Sequence, residues 1–275
     1  MKRERHPVTF GVMLFIALLF LAPIVIVLYN SFKGKLYISS EPFSLPNETS
    51  YLGLNNYING AAKIHFFDAF GYSLFITVCS VVVIVVFTSM TAWFIVRVKS
   101  RFTTGFYYLL VFSMIVPCQM VMFTMSKLSN LLGLGNPVGI ILIYLGFGAG
   151  LSTFLFCGFV KSIPIDIEES AMIDGCSPLQ IYFRIVFPVL RPTAITVAIL
   201  NTMWIWNDYL LPTLVLEGEY RTIPMAIQYL RGGYGSIDMG HMMAMLVLAI
   251  IPIIVFYLSC QRYIIKGVVA GAVKG

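Results

Sequence analysis

Charge is what this sequence has least of. Charged residues fill 11% of its 275 positions, against about 25% in an average soluble chain. Hydrophobic residues supply 59%, and mean hydropathy is +0.89. So little charge cannot cover a water-facing surface, so the solvent to read the chain against is a bilayer. Histidine is scarce too: His6, His65 and His241 are too scattered for a metal site. Cys79, Cys118, Cys157, Cys176 and Cys260 form no C-x-x-C pair, and four lie in or beside apolar runs, as small buried hydrophobes do. No G-x-x-x-x-G-K-[ST] phosphate loop is present, and "GVVAGAVKG" lacks both its spacing and its hydroxyl residue. No cluster of His, Asp, Glu or Ser marks the interfacial site that a polytopic membrane enzyme needs, and no cofactor is called for. The net charge of +6 is dispersed near apolar spans, which argues against a nucleic-acid partner.

What is present is long apolar runs. Six are long enough to cross about 30 Å of hydrocarbon, near residues 8–30, 69–96, 105–126, 138–160, 193–216 and 239–260. The first follows Lys2, Arg3 and Arg5; it is too long for a signal peptide and lacks a small-residue cleavage site, so it reads as a retained anchor. Twelve basic residues lie in segments 1–7, 97–104, 161–191 and 261–275, and six in 31–68, 127–137 and 217–238. The positive-inside rule then places both termini and the segment 162–188 in the cytoplasm. Pro23, Pro117, Pro212 and Pro252 lie within spans, where neighbouring helices tolerate kinks.

The segment 162–188 is ordered for a loop. Pro164 suits a first helical turn, and Asp166, Glu168 and Glu169 crowd the positive end of the helix dipole. Gly175 reads as a left-handed cap. Ser177 and Gln180 then form a capping box, with Pro178 at the first position of a second helix that runs to Pro188. The reading is helix, glycine turn, helix. The second helix is apolar on nearly every face (Leu179, Ile181, Tyr182, Phe183, Ile185, Val186, Phe187), so it packs under the spans and against a partner, or lies on lipid headgroups.

These residues resemble the EAA loop of ABC-importer permeases, whose pattern is E-A-A-x-x-x-G, nine residues, then I-x-L-P. Glu169, Ser170 and Ala171 hold the first places, Gly175 follows, and Cys176–Arg184 lead to Ile185, Phe187 and Pro188. Ser170 and Phe187 depart from the pattern, by a small and an apolar residue. "NTMWIWNDYLLP" and "QRYIIKGVVAGAVKG" are similar to the fifth span and tail of the G-type permease of maltose-type carbohydrate importers. The resemblance implies an all-α membrane protein: one permease domain over residues 1–275, with six transmembrane helices, a cytoplasmic helix-turn-helix coupling loop and the type I ABC importer permease fold. It implies a prokaryotic plasma-membrane subunit, with no catalytic site of its own, that forms half of a sugar path by alternating access. Implied partners are ATPase subunits, a second homologous permease and an extracytoplasmic sugar-binding protein. Glu169, Ser170, Ala171, Asp174, Gly175, Ile185 and Pro188 are the expected ATPase-coupling residues. The tail either reaches toward the ATPase or is a frayed terminus.

Substrate residues are less clearly marked. Asn201, Trp204, Asn207 and Asp208 put polar groups in the fifth span, with Trp204 and Asp208 on one face; Gln119 lies beside Pro117. These are candidates for the translocation path, with helix–helix hydrogen bonding as the alternative. In the loop 217–238, Tyr229, Arg231 and Tyr234 are candidate binding-protein contacts. Two alternatives stand beside the sugar importer. One is an ABC permease for a non-sugar solute such as glycerol phosphate, polyamine or amino acid. The other is a secondary transporter, which needs mid-span charges and internal repeats that are not evident.

Overall fold

In hydrocarbon every backbone N–H and C=O must be paired within the protein, and the chain meets this with helices. The structure, a computed structural model, describes residues 7–230 and 238–272, with side chains over 8–230 and 238–261. Strand pairing among the described residues is limited to one antiparallel bridge, Lys33 with Tyr51. In chain order the helices are α1 (Pro7–Asn30), α2 (Lys35–Ser40), α3 (Asn55–Lys63), α4 (Phe66–Arg97), α5 (Arg101–Ser113), α6 (Cys118–Leu131) and α7 (Pro137–Val160). They continue as α8 (Asp166–Ile173), α9 (Pro178–Ile181), a π turn at Tyr182–Val186, α10 (Phe187–Asn207), α11 (Leu210–Val215), α12 (Ile223–Gln228) and α13 (Met239–Ala272).

Among the described residues five segments are long and apolar enough to cross a membrane: Val8–Asn30, Phe66–Arg97, Pro137–Val160, Pro178–Asn207 and Met239–Gln261. The expected third span is instead two helices, α5 and α6, meeting at 106°. Counted as one broken span, they bring the total to six. Pro117 explains the break. It sits at the N-cap of α6, it has no N–H to donate, and its ring drives Val116 out of the helical region. The expected fifth span, 193–216, also divides. α10 ends at Asn207, and α11 resumes at Leu210.

Packing divides the chain into two units: one takes in the described residues up to Ala69 and Met225–Ile254, the other Phe70–Pro224 and the described residues from Val255. In the second unit α7 is the central helix, with Ile140, Tyr144, Phe156 and Val160 fully buried. Its start is fixed by Asn136, whose Oδ1 accepts from Val138 N and Gly139 N at 3.1 and 2.9 Å, and by Pro137 in the first turn. Gly148 lets α4 and α10 close in: a Cβ there would lie 2.8 Å from Ile84 Cδ1 and 2.9 Å from Asn201 Oδ1. Small residues at such crossings replace the hydrophobic drive that lipid does not supply.

The first unit folds the stretch after α1 back on itself. Lys33 is wholly buried. Its ammonium donates to Glu41 O at 3.0 Å and Ser44 Oγ at 3.1 Å, and lies 5.3 Å from the Tyr29 ring centre. Asn56 on α3 donates to Ser31 O and Lys33 O, both at 2.8 Å. It also leaves no room for a side chain at Gly240, where a Cβ would come within 2.8 Å of Asn56 Oδ1. A clip beside this crossing joins Lys63 Nζ to Asp238 Oδ2 at 3.1 Å, and the same oxygen lies 2.5 Å from His241 Nδ1.

Partial burial raises the Asp238 carboxyl, but the Lys63 hydrogen bond and the nearby His241 outweigh it and hold the carboxyl below its ordinary value. A carboxyl lowered on folding stabilises the fold above its unfolded pKa, and the gain is lost as pH falls through the folded value. Hydrogen-exchange protection of residues 55–64 should therefore hold at about pH 4.5 and fall below the usual aspartate pKa of about 3.9. An Asp238→Asn chain should lack that dependence. Equal acid profiles for the two chains would refute the clip.

Candidate functional site

The turn between α7 and α10 is built much as its residue types dictate. α8 carries Asp166, Glu168 and Glu169 in its first turn, where the helix dipole favours them. Gly175 closes it at φ +81°, and a Cβ at that position would meet nothing within 4 Å, so backbone conformation alone selects glycine there. Ser177 and Gln180 form the expected box: Gln180 Oε1 accepts from Ser177 N at 2.8 Å, and Ser177 Oγ accepts from Gln180 N at 3.4 Å.

The second helix departs from expectation at its end. Pro188 does not stop it. α9 passes through the π turn at Tyr182–Val186 directly into α10, which accommodates Pro188 in its first turn and Pro192 inside. A π turn widens the helix by one residue, which relieves the backbone around prolines that cannot donate. Its apolar faces are also not all covered within the chain. Ile181, Tyr182 and Val186 are buried, whereas Leu179 and Phe183 are exposed.

The two glutamates of α8 point opposite ways. Glu169 is exposed. Glu168 is 2% exposed and enters a socket on α4. Its Oε1 accepts from Arg97 Nη2 at 2.7 Å and Nε at 3.0 Å, and its Oε2 accepts from Trp93 Nε1 at 2.8 Å. Arg97 Nη2 also donates to Ile163 O at 3.0 Å. Further back on α4, the Ser89 hydroxyl lies 2.6 Å from the Tyr182 hydroxyl. Ser89 itself donates to Val85 O, so Tyr182 is the donor of that bond. The Trp93 and Tyr182 rings lie 5.7 Å apart. Ser89, Trp93 and Arg97 are spaced by four, so they form one stripe along α4, and every member touches the segment 163–182.

The sequence reading missed this stripe. Its visible signal was a W-x-x-x-R pair at the end of a span, facing an acidic first turn. The expected coupling residues divide around it. Ala171 is buried and Ile185 half-buried, whereas Ser170, Asp174, Gly175 and Pro188 are exposed. Ser170 Oγ donates to Asp166 O at 2.7 Å, so its hydroxyl is satisfied on the helix.

A second polar group lies at the far end of α10. Tyr144 on α7 donates to Asp208 Oδ2 at 3.0 Å and meets the Trp204 ring edge-on at 5.4 Å. Trp204 and Asp208 thus do share a face. Asp208 Oδ1 accepts from Leu210 N and Leu211 N at 3.1 and 3.3 Å, which turns the chain from α10 into α11. Asn201 is buried and donates to Ser152 Oγ at 3.2 Å and Val197 O at 2.8 Å. Asn207 is exposed and donates to Met203 O at 2.7 Å. Gln119 is exposed at the start of α6, where its Oε1 accepts from Cys118 Sγ at 3.4 Å. Tyr229 is exposed; Arg231 and Tyr234 lie outside the described residues. Among the described residues no group of three or more His, Cys, Asp or Glu is placed to hold a metal ion.

Removing one partner of a buried ion pair leaves the other charge unmatched, at a cost of about 3–5 kcal/mol. Arg97→Ala should therefore lower the unfolding temperature in mild detergent clearly. Replacing Arg97 and Glu168 together by methionine should lower it less than Arg97→Ala alone. An Arg97→Ala chain as stable as the unaltered one would refute the burial of this pair.

Comparison with known proteins agrees with this architecture. The family described as "Binding-protein-dependent transport system inner membrane component" matches residues 96–269. A probable starch degradation products transport system permease of Thermoanaerobacterium thermosulfurigenes is 40% identical, over 98% of this chain and 97% of its own length. A multiple sugar-binding transport system permease of Streptococcus mutans is 34% identical, over 94% and 93%. A melibiose/raffinose/stachyose import permease of Bacillus subtilis is 30% identical, over 92% and 91%. Among solved structures, a chain of a bacterial ABC transporter involved in alginate import superposes with a TM-score of 0.78 at 22% identity, over 96% of this chain and 99% of its own. At that identity the likeness speaks for the fold alone. The family match over more than half of the chain and the identity to permeases along nearly its whole length agree: the chain belongs to the binding-protein-dependent transport system inner membrane components, the membrane-spanning permeases of ABC importers.

Proposed function

We propose that this permease forms half of the path for a sugar or oligosaccharide and that the segment from α8 to the π turn couples it to a separate ATPase subunit. The observation that supports the coupling role best is the division of α8 by burial. Glu168 is locked inward, which leaves Glu169, Asp174 and the Gly175 turn presented outward. Leu179 and Phe183 add exposed apolar area beside them. A charged rim around an apolar patch suits a protein cleft better than a bare headgroup layer. The sugar class is supported by the relatives, whose names refer to starch degradation products, multiple sugars and melibiose-type oligosaccharides.

On this reading ATP is hydrolysed on the partner subunits, two of which close around the coupling segments. A second, homologous permease supplies the other half of the path, and an extracytoplasmic sugar-binding protein delivers the substrate. The binding-protein partner is supported by a chain of similar fold, from a bacterial alginate ABC transporter solved in complex with an alginate pentasaccharide-bound periplasmic protein. Both termini and the turn between α7 and α10 face the cytoplasm of a prokaryotic cell. Tyr144, Trp204 and Asp208 line the path near its outer end, and Tyr229 lies where the binding protein docks. Asn201 acts mainly in packing, because both of its amide donors are taken up inside the bundle.

Purification of the tagged chain in mild detergent tests the assembly. A P-loop ATPase and a second permease of this family should accompany it. Recovery of this chain alone, from a preparation that still transports, would overturn the proposal. The turn has its own test. A β-branched side chain at the φ of Gly175 costs about 1–2 kcal/mol, which shifts docking by about ten-fold. Gly175→Val should therefore insert normally and lose about ten-fold in uptake, whereas Gly175→Asn should keep most of it, because asparagine tolerates the left-handed region. Full uptake by Gly175→Val would count against the coupling role.

A further inference from the structure

We infer that Ser89, Trp93 and Arg97 make α4 the lever that carries motion of the coupling segment into the membrane, with the buried Glu168 as its latch. The inference rests on the coupling reading of α8 given above.

The geometry separates this stripe from ordinary packing. The coupling segment is held to α4 at three successive turns by directed bonds. Arg97 and Trp93 engage both oxygens of Glu168, Arg97 also ties down Ile163 O, and Ser89 receives Tyr182. The points held lie on both sides of the glycine turn: Ile163 and Glu168 before it, Tyr182 after it. A force applied to α8 or α9 therefore reaches the same helix, whichever one the ATPase moves. The bonds are directional and nearly water-free, with Glu168 2% and Arg97 18% exposed. Sliding α8 by even one residue would strand a buried carboxylate, so the joint has one register and no cheap intermediate. Apolar packing alone would let the two surfaces slip.

α4 is also suited to pass the motion on. It is a single helix of 32 residues without an interior proline, about 48 Å long at 1.5 Å per residue. The two spans that run directly into the coupling segment are softer. α10 contains Pro192 and begins at the π turn, and α7 carries Gly146, Gly148, Gly150 and Gly158 in its interior. Along α4 the contact is renewed by Ile84, whose Cδ1 lies against Gly148 of α7. Movement of the latch end is then shared with the central helix, and through it with the Tyr144–Asp208 group.

The test uses the assembled importer, with its ATPase and partner permease, in proteoliposomes. A reporter cysteine replaces Gly71, which is exposed near the other end of α4 with nothing within 4 Å of its Cβ position. The five native cysteines are replaced by serine. Its labelling rate by a membrane-impermeant maleimide is measured without nucleotide and after trapping with ATP and vanadate. Trapping should change the rate by about five-fold or more. Arg97→Met should reduce that change to below about two-fold in complexes that still trap nucleotide. Arg97→Lys should retain part of it, and exchanging the pair (Arg97→Glu with Glu168→Arg) should restore part of it. Trp93→Phe keeps the ion pair and removes one donor, so it should fall between.

A purely structural role would lower the yield of complex and leave the change intact in what survives. An undiminished change in Arg97→Met, or a rate insensitive to trapping in the unaltered chain, would overturn the lever. Failure of the unaltered chain to recruit any P-loop ATPase would overturn the coupling reading itself, and the latch with it.

Discussion

A carboxylate taken out of water must find its partners in the protein or be neutralised, and Glu168 finds them on a single face of α4. That constraint fixes more than one contact. With both Glu168 oxygens bonded to Arg97 and Trp93, the rotation of α8 about its own axis is set. Glu169, the next residue, then has to face out, and Ala171, three residues on from Glu168, has to face in, where it is buried. The glycine turn starts from a defined place, and Tyr182 arrives opposite Ser89. The pair need not add net stability for this to hold; buried ion pairs are often no better than apolar isosteres. What it adds is a single register.

The prolines show a second constraint, and the chain resolves it differently at each site. Pro117 and its restricted neighbour end α5 and restart the chain as α6 at a steep angle. Pro188 and Pro192 lie where a break would sever α8 and α9 from α10. There the helix widens to a π turn and continues. The same chemistry thus gives a corner in one place and a continuous but softened rod in another. α4, which holds Glu168 and Tyr182, has neither a corner nor an interior proline.

Much of this was legible from residue types. Length of apolar runs found four spans outright, the third as a broken pair, and the fifth in part, since its helix begins in the turn after α8 and ends at Asn207. Dipole-matched acids, Gly175 and the Ser177–Gln180 box found the helix-turn-helix, because each acts over one or two turns. What local pattern could not show was the fate of Pro188, since a π turn depends on what the next span needs. It also could not distinguish Glu168 from Glu169. The two are adjacent and identical in type, and only the socket made by Trp93 and Arg97, roughly seventy residues earlier, decides which is buried. The polar residues of the fifth span were equally ambiguous, because a path and a helix crossing use the same side chains.

The hydrogen bonds of those residues now limit what they can do for a sugar. Asp208 has one oxygen occupied by two backbone N–H groups and the other by Tyr144. An ionised carboxylate accepts at about four positions, so little of its capacity is left for a passing hydroxyl. Asn201 has given both amide hydrogens to Ser152 and Val197. Trp204 differs: its ring is held edge-on by Tyr144 and is half-buried. An aromatic face held by a neighbour binds the apolar face of a pyranose without requiring one pattern of hydroxyls. On the proposed sugar path, a ring held this way would accept pyranoses of similar shape without selecting among them.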